Sequence, residues 1–161
     1  MPRTALIVVV PEAEPAVGAL RLAHDWSAVL GVPAHITILF PFAAPADVDE
    51  AAIAEVVSSV PAFDFELDRV ERFDDGLVWL RAAPSELFVA LTTAVWRRFP
   101  DYPPYGGTHD VLIPHLTVSA VPVEVDIELP IRASAREVTL IEEEADGGWS
   151  VRRVFPLHGV A

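Results

Sequence analysis

Two short runs, His35-Ile36-Thr37-Ile38 and His115-Leu116-Thr117-Val118, hold the residues of this chain best suited to chemistry. Each reads histidine, apolar, threonine, apolar, and each lies in a stretch of strand-forming residues. Alternate side chains of a strand share a face. His35 and Thr37 therefore project together, with Ile36, Ile38 and Phe40 turned toward a core. In the second copy His115, Thr117 and Ser119 share one face, and Leu116 and Val118 the other. Histidine gives or takes a proton near neutral pH. Two imidazoles on opposite sides of a phosphorus atom suit in-line displacement: one removes a proton from the attacking oxygen, and the other protonates the leaving oxygen. The threonine hydroxyls, displayed on the same face, can bond the non-bridging oxygens where transition-state charge concentrates. This chemistry requires neither a metal nor an organic cofactor. One His-x-Thr in a strand is commonplace, whereas two copies with matching apolar partners point to a single cleft.

Other residues are candidates for binding. Tyr105 and Tyr102 precede the second motif in an irregular loop and could stack on a nucleobase or simply pack on the core. Phe42, just past the first strand, is a candidate pocket wall. Arg152 and Arg153 should point to opposite sheet faces, so at most one reaches a phosphate, and Arg152 is the candidate. His35, His109 and His115 with Asp110 raise the rival of a metal site. However, neither motif supplies a second nitrogen at metal spacing and threonine is a poor ligand, so no metal is expected. His24 and His158 read as structural, and Glu142-Glu143-Glu144 as a solvated hairpin end.

The elements that must position these residues can be read along the chain. Thr4 to Val10 is an apolar strand. A helix starts at Glu14-Pro15, with proline at its first turn, and runs to about Leu30, where Gly31 and Pro33 stop it. The first motif strand ends at Pro41. Asp47 and Glu50 resemble a capping box, followed by a helix with Ile53, Val56, Val57 and Val60 on one side. Phe63 to Asp68 alternates as a half-buried strand and loses phase near Arg69, where a bulge or strand end is expected. Asp74-Asp75-Gly76 turns the chain into a strand over Leu77 to Arg81. Ser85 can cap a helix carrying Leu87, Leu91 and Val95 as far as Pro100. After the second motif, Arg136 to Glu144 and Trp149 to Phe155 form a hairpin across Asp146-Gly147-Gly148. Strand, helix, His-x-Thr strand thus occurs twice, predicting two related lobes of one domain in the α+β class, with mostly antiparallel sheets.

Composition narrows the function. The 161 residues are 52% hydrophobic, enough for one domain with a substantial core. The run Ala5 to Val10 is too short to span a membrane and lacks a small-residue cleavage site, so no membrane association is expected and the cytoplasm is the default. No cysteine is present, which removes disulfides and thiolate chemistry. The net charge is −13 and all 11 basic residues are arginine. That balance opposes long double-stranded nucleic acid, which is bound through many cationic phosphate contacts. Without lysine, a Schiff base, a P-loop lysine and an adenylated-lysine ligase are excluded.

The paired motifs His35-Ile36-Thr37-Ile38 and His115-Leu116-Thr117-Val118 resemble the two signatures of the two-histidine (2H) phosphoesterases, which include 2′-5′ RNA ligase-like proteins and 2′,3′-cyclic nucleotide phosphodiesterases. The order of elements matches over nearly the whole chain. The resemblance implies a bilobal α+β fold, with two pseudo-symmetric, mostly antiparallel sheets forming a central cleft and helices outside. It also implies metal-independent hydrolysis of a 2′,3′-cyclic phosphate on a small nucleotide or RNA end, usually giving a 2′-phosphate. His35, His115, Thr37 and Thr117 would be the catalytic residues, with His115 as base and His35 as acid. The alternatives are a noncatalytic binder of phosphorylated ends or cyclic nucleotides, and a 2′-5′ RNA ligase. A monomer is expected. The chain departs from many relatives in its acidity, its lack of lysine, and a helix after the second motif that is shortened to Val121–Pro130.

Overall fold

The computed structural model describes residues 2–108 and 111–160. Its frame is an eight-stranded antiparallel sheet built from β1 (Thr4–Val9), β2 (His35–Leu39), β3 (Phe63–Arg72), β4 (Val78–Ala83), β5 (His115–Ser119), β6 (Ile131–Ala135), β7 (Glu137–Glu143) and β8 (Trp149–Pro156). The spatial order is β6-β3-β4-β5-β2-β1-β7-β8. The two sheets expected are therefore two four-stranded halves of one sheet. They meet at the pairing of β2 with β5, where Ile36 stands opposite Leu116. In each half the strand beside the motif strand leads into it through a helix, β1 into β2 and β4 into β5, which is the repeat that the duplicated sequence pattern implies.

Apolar alternation decides which side of the sheet is buried. Ile36, Leu39, Leu67, Leu80, Leu116, Val118 and Leu140 all lie in one core with helices packed over them. The helices are α1 (Glu14–His24), α2 (Trp26–Val29), α3 (Glu50–Ser58) and α4 (Glu86–Arg98). They interlock the halves. α1 follows the first strand yet reaches the opposite half, where the carbonyl of His24 accepts from the amide of Ala120 just beyond β5 (2.8 Å). In the mirror arrangement, the Thr92 hydroxyl on α4 donates to the Ile38 carbonyl on β2 (2.8 Å).

Several local expectations are revised. The first helix does not run unbroken to Leu30: it ends at His24, and Asp25 then caps α2 by accepting from the Ser27 amide. Asp49, not Asp47, caps α3, its carboxylate accepting from Ala52 N at 3.0 Å. Ser85 precedes α4 without a side-chain cap. The lost phase near Arg69 is a bulge between Leu67 and Arg69. No helix lies between Val121 and Pro130. Among the described residues, no helix is long and apolar enough to cross a membrane.

The β2–β5 seam tests the account of the core. Leu116→Ala should lower stability by about 3 kcal/mol, since its side chain is fully buried and the backbone around a paired strand cannot collapse into the space. Urea unfolding followed by circular dichroism would measure it.

Candidate active site

The register at the seam fixes what faces what. With Ile36 opposite Leu116 in an antiparallel pair, one step either way sets His35 against Thr117 and Thr37 against His115. Residues directly opposite have Cβ atoms about 4.5–5.5 Å apart, and diagonal ones lie at about 7–8 Å. Each imidazole thus has the other motif's hydroxyl across from it, with the second imidazole on the diagonal. That spacing leaves room for one small anion between the rings.

Both rings are oriented in the same way. His35 Nδ1 donates to the Pro33 carbonyl (2.8 Å) and His115 Nδ1 to the Ile113 carbonyl (2.7 Å). A carbonyl can only accept, so Nδ1 carries the hydrogen in each neutral ring, and Nε2 is the nitrogen that exchanges a proton. The proline just before or near each motif strand keeps the entering chain extended, which sets the carbonyl two residues upstream beneath the ring.

The two environments differ. On the β1 side, Val9 pairs with His35 and Ile7 with Thr37; on the β4 side, Arg81 pairs with His115 and Trp79 with Thr117. His35 is half-buried, and the packed protein around it pushes its pKa down to about 4. Desolvation is the main cause. The Pro33 carbonyl opposes it, Arg21 adds repulsion, Asp25 partly offsets that, and His115 contributes further repulsion. Arg21 is only 2% exposed. It is held by Asp25 (3.2 Å), by the Ser27 hydroxyl (3.0 Å) and by the Val32 carbonyl (3.1 Å), so this cation behind His35 is fixed.

His115 stands in an aromatic wall. Phe73 and Trp79 stack on each other at 4.7 Å and both present edges to the His115 ring, at 5.2 and 5.9 Å. Tyr105 lies nearly parallel to it at 6.4 Å. The Tyr105 backbone is left-handed (φ 53°), costing about 1–2 kcal/mol for a residue with a side chain. Its amide is tied to the Phe40 carbonyl (2.7 Å) and its hydroxyl to Thr37. Burial raises the phenol pKa, with Thr37 opposing, so the hydroxyl stays protonated. Tyr105 thus links the first motif to the second. A cleft of about 530 Å³ opens beside His115, bounded by Phe73, Tyr105, Ile113 and the turn residues Asp74 and Asp75. A concavity of similar volume, about 560 Å³, lies among Glu12, Asp64, Glu66, Arg132 and Arg136. It holds no histidine, and its carboxylates are engaged, Glu12 and Asp64 by Ser134 and Glu66 by Arg132, so the motif cleft is the better site.

The structure brings His35, Thr37, His115, Thr117 and Tyr105 together. It does not bring Phe42 or Arg152. Phe42 is buried, with edges against Phe99 (5.1 Å) and Tyr102 (5.2 Å), because it lies past the strand end and turns into the core under α4. Tyr102 is accordingly core packing. Arg152 and Arg153 do not point to opposite faces. A register shift between Leu140 and Ile141 places Arg152 in a bulge, and both guanidiniums reach the carboxylate of Glu50 at the start of α3 (3.0 Å each). Arg152 also donates to the Pro45 carbonyl (2.8 Å). Neither arginine belongs to the motif cleft. His109 and Asp110 lie outside the described residues; among the others, no cluster of histidine and carboxylates fit to hold a metal is found. Phe73 and Trp79 escaped the sequence reading. Strand alternation with Glu71 and Arg81 was the available signal, but aromatic residues in a hairpin read equally well as core. Trp79 Nε1 is buried with no hydrogen-bond partner among the described residues.

Residues 9–155 match the sequence profile of the 2′-5′ RNA ligase superfamily. Among solved structures, E. coli LigT complexed with 3′-AMP is similar at 18% identity, covering 98% of this chain and 99% of that one with a TM-score of 0.68. TT0787 of Thermus thermophilus is similar at 18% identity over 99% and 100%, TM-score 0.69. A phosphoesterase is similar at 17% identity over 98% and 99%, TM-score 0.68. No curated protein matches in a direct sequence search.

The depressed pKa of His35 has a consequence for stability. The unfolded chain, with its ordinary value of 6.5, binds the proton first, so stability is present above pH 6.5 and is lost as pH falls toward 4. The loss is about 3 kcal/mol at most. His35→Gln should flatten this dependence. Urea midpoints of both proteins at pH 7.5 and 4.5 would show it, and NMR titration of the ring should give an inflection near 4.

Proposed function

The chain belongs to the 2′-5′ RNA ligase superfamily, and from that premise we propose that it is a metal-independent phosphodiesterase that opens a 2′,3′-cyclic phosphate on a small nucleotide or RNA end. One observation carries the proposal: two imidazoles, each with Nδ1 locked on the carbonyl two residues upstream, flank one gap with a hydroxyl across from each.

In this reading Nε2 of His115 takes a proton from water as its oxygen bonds to phosphorus. The bond from phosphorus to the ribose 3′-oxygen breaks, and Nε2 of His35 gives that oxygen a proton, leaving a 2′-phosphate. Thr37 and Thr117 donate to the non-bridging oxygens, where hydrogen bonds count most in the transition state. His35 is neutral at pH 7, its pKa being about 4. It becomes an acid when an anion seated beside it raises its affinity for a proton, so a proton is taken up with the substrate. The same low affinity favours a second reading, in which His35 is the base and His115 the acid. Crystallised LigT with 3′-AMP and with phosphate supports a small nucleotide as the ligand class. Ligation of long RNA would open the same cyclic phosphate with a 5′-hydroxyl in place of water, the bond to the 3′-oxygen again breaking, and the net charge of −13 opposes the approach of that polyanion.

Hydrolysis of 2′,3′-cyclic mononucleotides should persist in EDTA and fall by about 10²–10⁴-fold in His35→Ala and in His115→Ala. Activity lost with EDTA, or retained in both variants, would overturn the proposal. A nitrophenyl phosphodiester, whose leaving group needs no proton, separates the roles. His35→Ala should keep most of its activity on that substrate and His115→Ala should not; the reverse pattern would exchange acid and base.

A further inference from the structure

Resting on the phosphodiesterase reading, we infer that the cleft is a charge filter: it selects an ester bearing one phosphate and rejects a nucleotide with a second phosphate at the far end, through Asp74 and Asp75. A ligand whose phosphate sits at His115 and which fills the 530 Å³ cleft must run along Phe73 and Tyr105 toward the β3–β4 turn, where Asp74 and Asp75 line the wall. A base and sugar suit that path, since the aromatic faces stack on any base. A further phosphate at its end meets two negative charges.

The turn cannot readily move them away. Phe73 N donates to Leu77 O (2.9 Å) and Gly76 N to Phe73 O (2.9 Å), and Asp75 Oδ1 accepts from Leu77 N at 3.0 Å. Gly76 has φ 91°, and a side chain there would meet Pro122 at 2.9 Å, so the turn is packed against the segment after β5. Nor does an ion pair neutralise it: Arg72, nearest in sequence, donates to the Val123 carbonyl (3.1 Å). Arg81, beside His115, is engaged by both oxygens of Asp68, and Arg69 faces Glu71 at 3.5 Å. Among the described residues, neither Asp74 nor Asp75 forms an ion pair. E. coli LigT has been crystallised with ATP and NADP+, but at 18–19% identity its side chains do not carry over to this cleft.

The test compares adenosine 2′,3′-cyclic phosphate with the same ester carrying a 5′-phosphate, for the full chain and for the double variant Asp74→Asn, Asp75→Asn. The wild type should favour the 5′-hydroxyl ester by about tenfold in kcat/KM at low ionic strength, less at high salt. The double variant should bring the ratio close to one, mainly by raising kcat/KM for the doubly phosphorylated ester. Equal wild-type values, or a ratio the variant leaves unmoved, would overturn the filter. Should neither ester turn over, the phosphodiesterase reading fails on its own. Calorimetry with adenosine 3′-monophosphate and adenosine 3′,5′-bisphosphate then decides the filter: wild-type preference for the monophosphate that the variant erases supports it, and no preference overturns it.

Discussion

A single antiparallel pairing, Ile36 against Leu116 at the centre of the sheet, is the constraint from which the site follows. Both side chains are fully buried on the helix side, so neither strand can slip by one residue without turning its apolar set into water and its histidine into the core. That register is what brings motifs eighty positions apart into diagonal contact. A protein cannot adjust the spacing of the two imidazoles without disturbing the best-packed part of its interior, and the geometry of the site is thereby tied to the stability of the fold. The crossed helices add to this: α1 is bonded to the end of β5 and α4 to β2, so each half holds the other half's motif strand in place.

Symmetry of position does not give symmetry of chemistry. Val9 and Ile7 flank the first motif where Arg81 and Trp79 flank the second. The apolar side withdraws water from His35 and, with the buried Arg21 behind it, disfavours its charged form. The other side surrounds His115 with aromatic rings, Phe73 and Trp79 edge-on and Tyr105 nearly parallel. Duplication supplies two equal groups, and the neighbouring strands make them unequal. Unequal environments settle in advance which member of such a pair more readily holds the proton.

The site was legible in the sequence where a local rule decides it. Alternation put each histidine and threonine on the face away from the core, and the repeated strand–helix–strand order implied that the two copies meet. The residues misread are those decided by tertiary context. Phe42 follows a strand end, where alternation no longer applies, and the nearest apolar surface, Phe99 and Tyr102, claimed it. Arg152 sits in a bulge that no composition rule marks, and one extra residue turned its side chain toward Glu50. Phe73 and Trp79 were passed over because an aromatic side chain on a hairpin is core or pocket according to which strand lies next to it. That neighbour, β5, is distant in sequence.

The charge distribution follows from the same arrangement. Arginine is the only cation available, and nearly every buried or half-buried one is committed: Arg21 to Asp25, Arg81 to Asp68, Arg152 to Glu50. A planar guanidinium suits such fixed carboxylate forks. Among the described residues, no arginine lines the cleft beside His115. In the proposed reaction the hydroxyls and imidazoles would hold the phosphate without an arginine, an arrangement suited to one negative charge rather than a chain of them. On that proposal, the acidity of the protein and the sparse cation lining of its cleft would together limit how many phosphates approach His35 and His115.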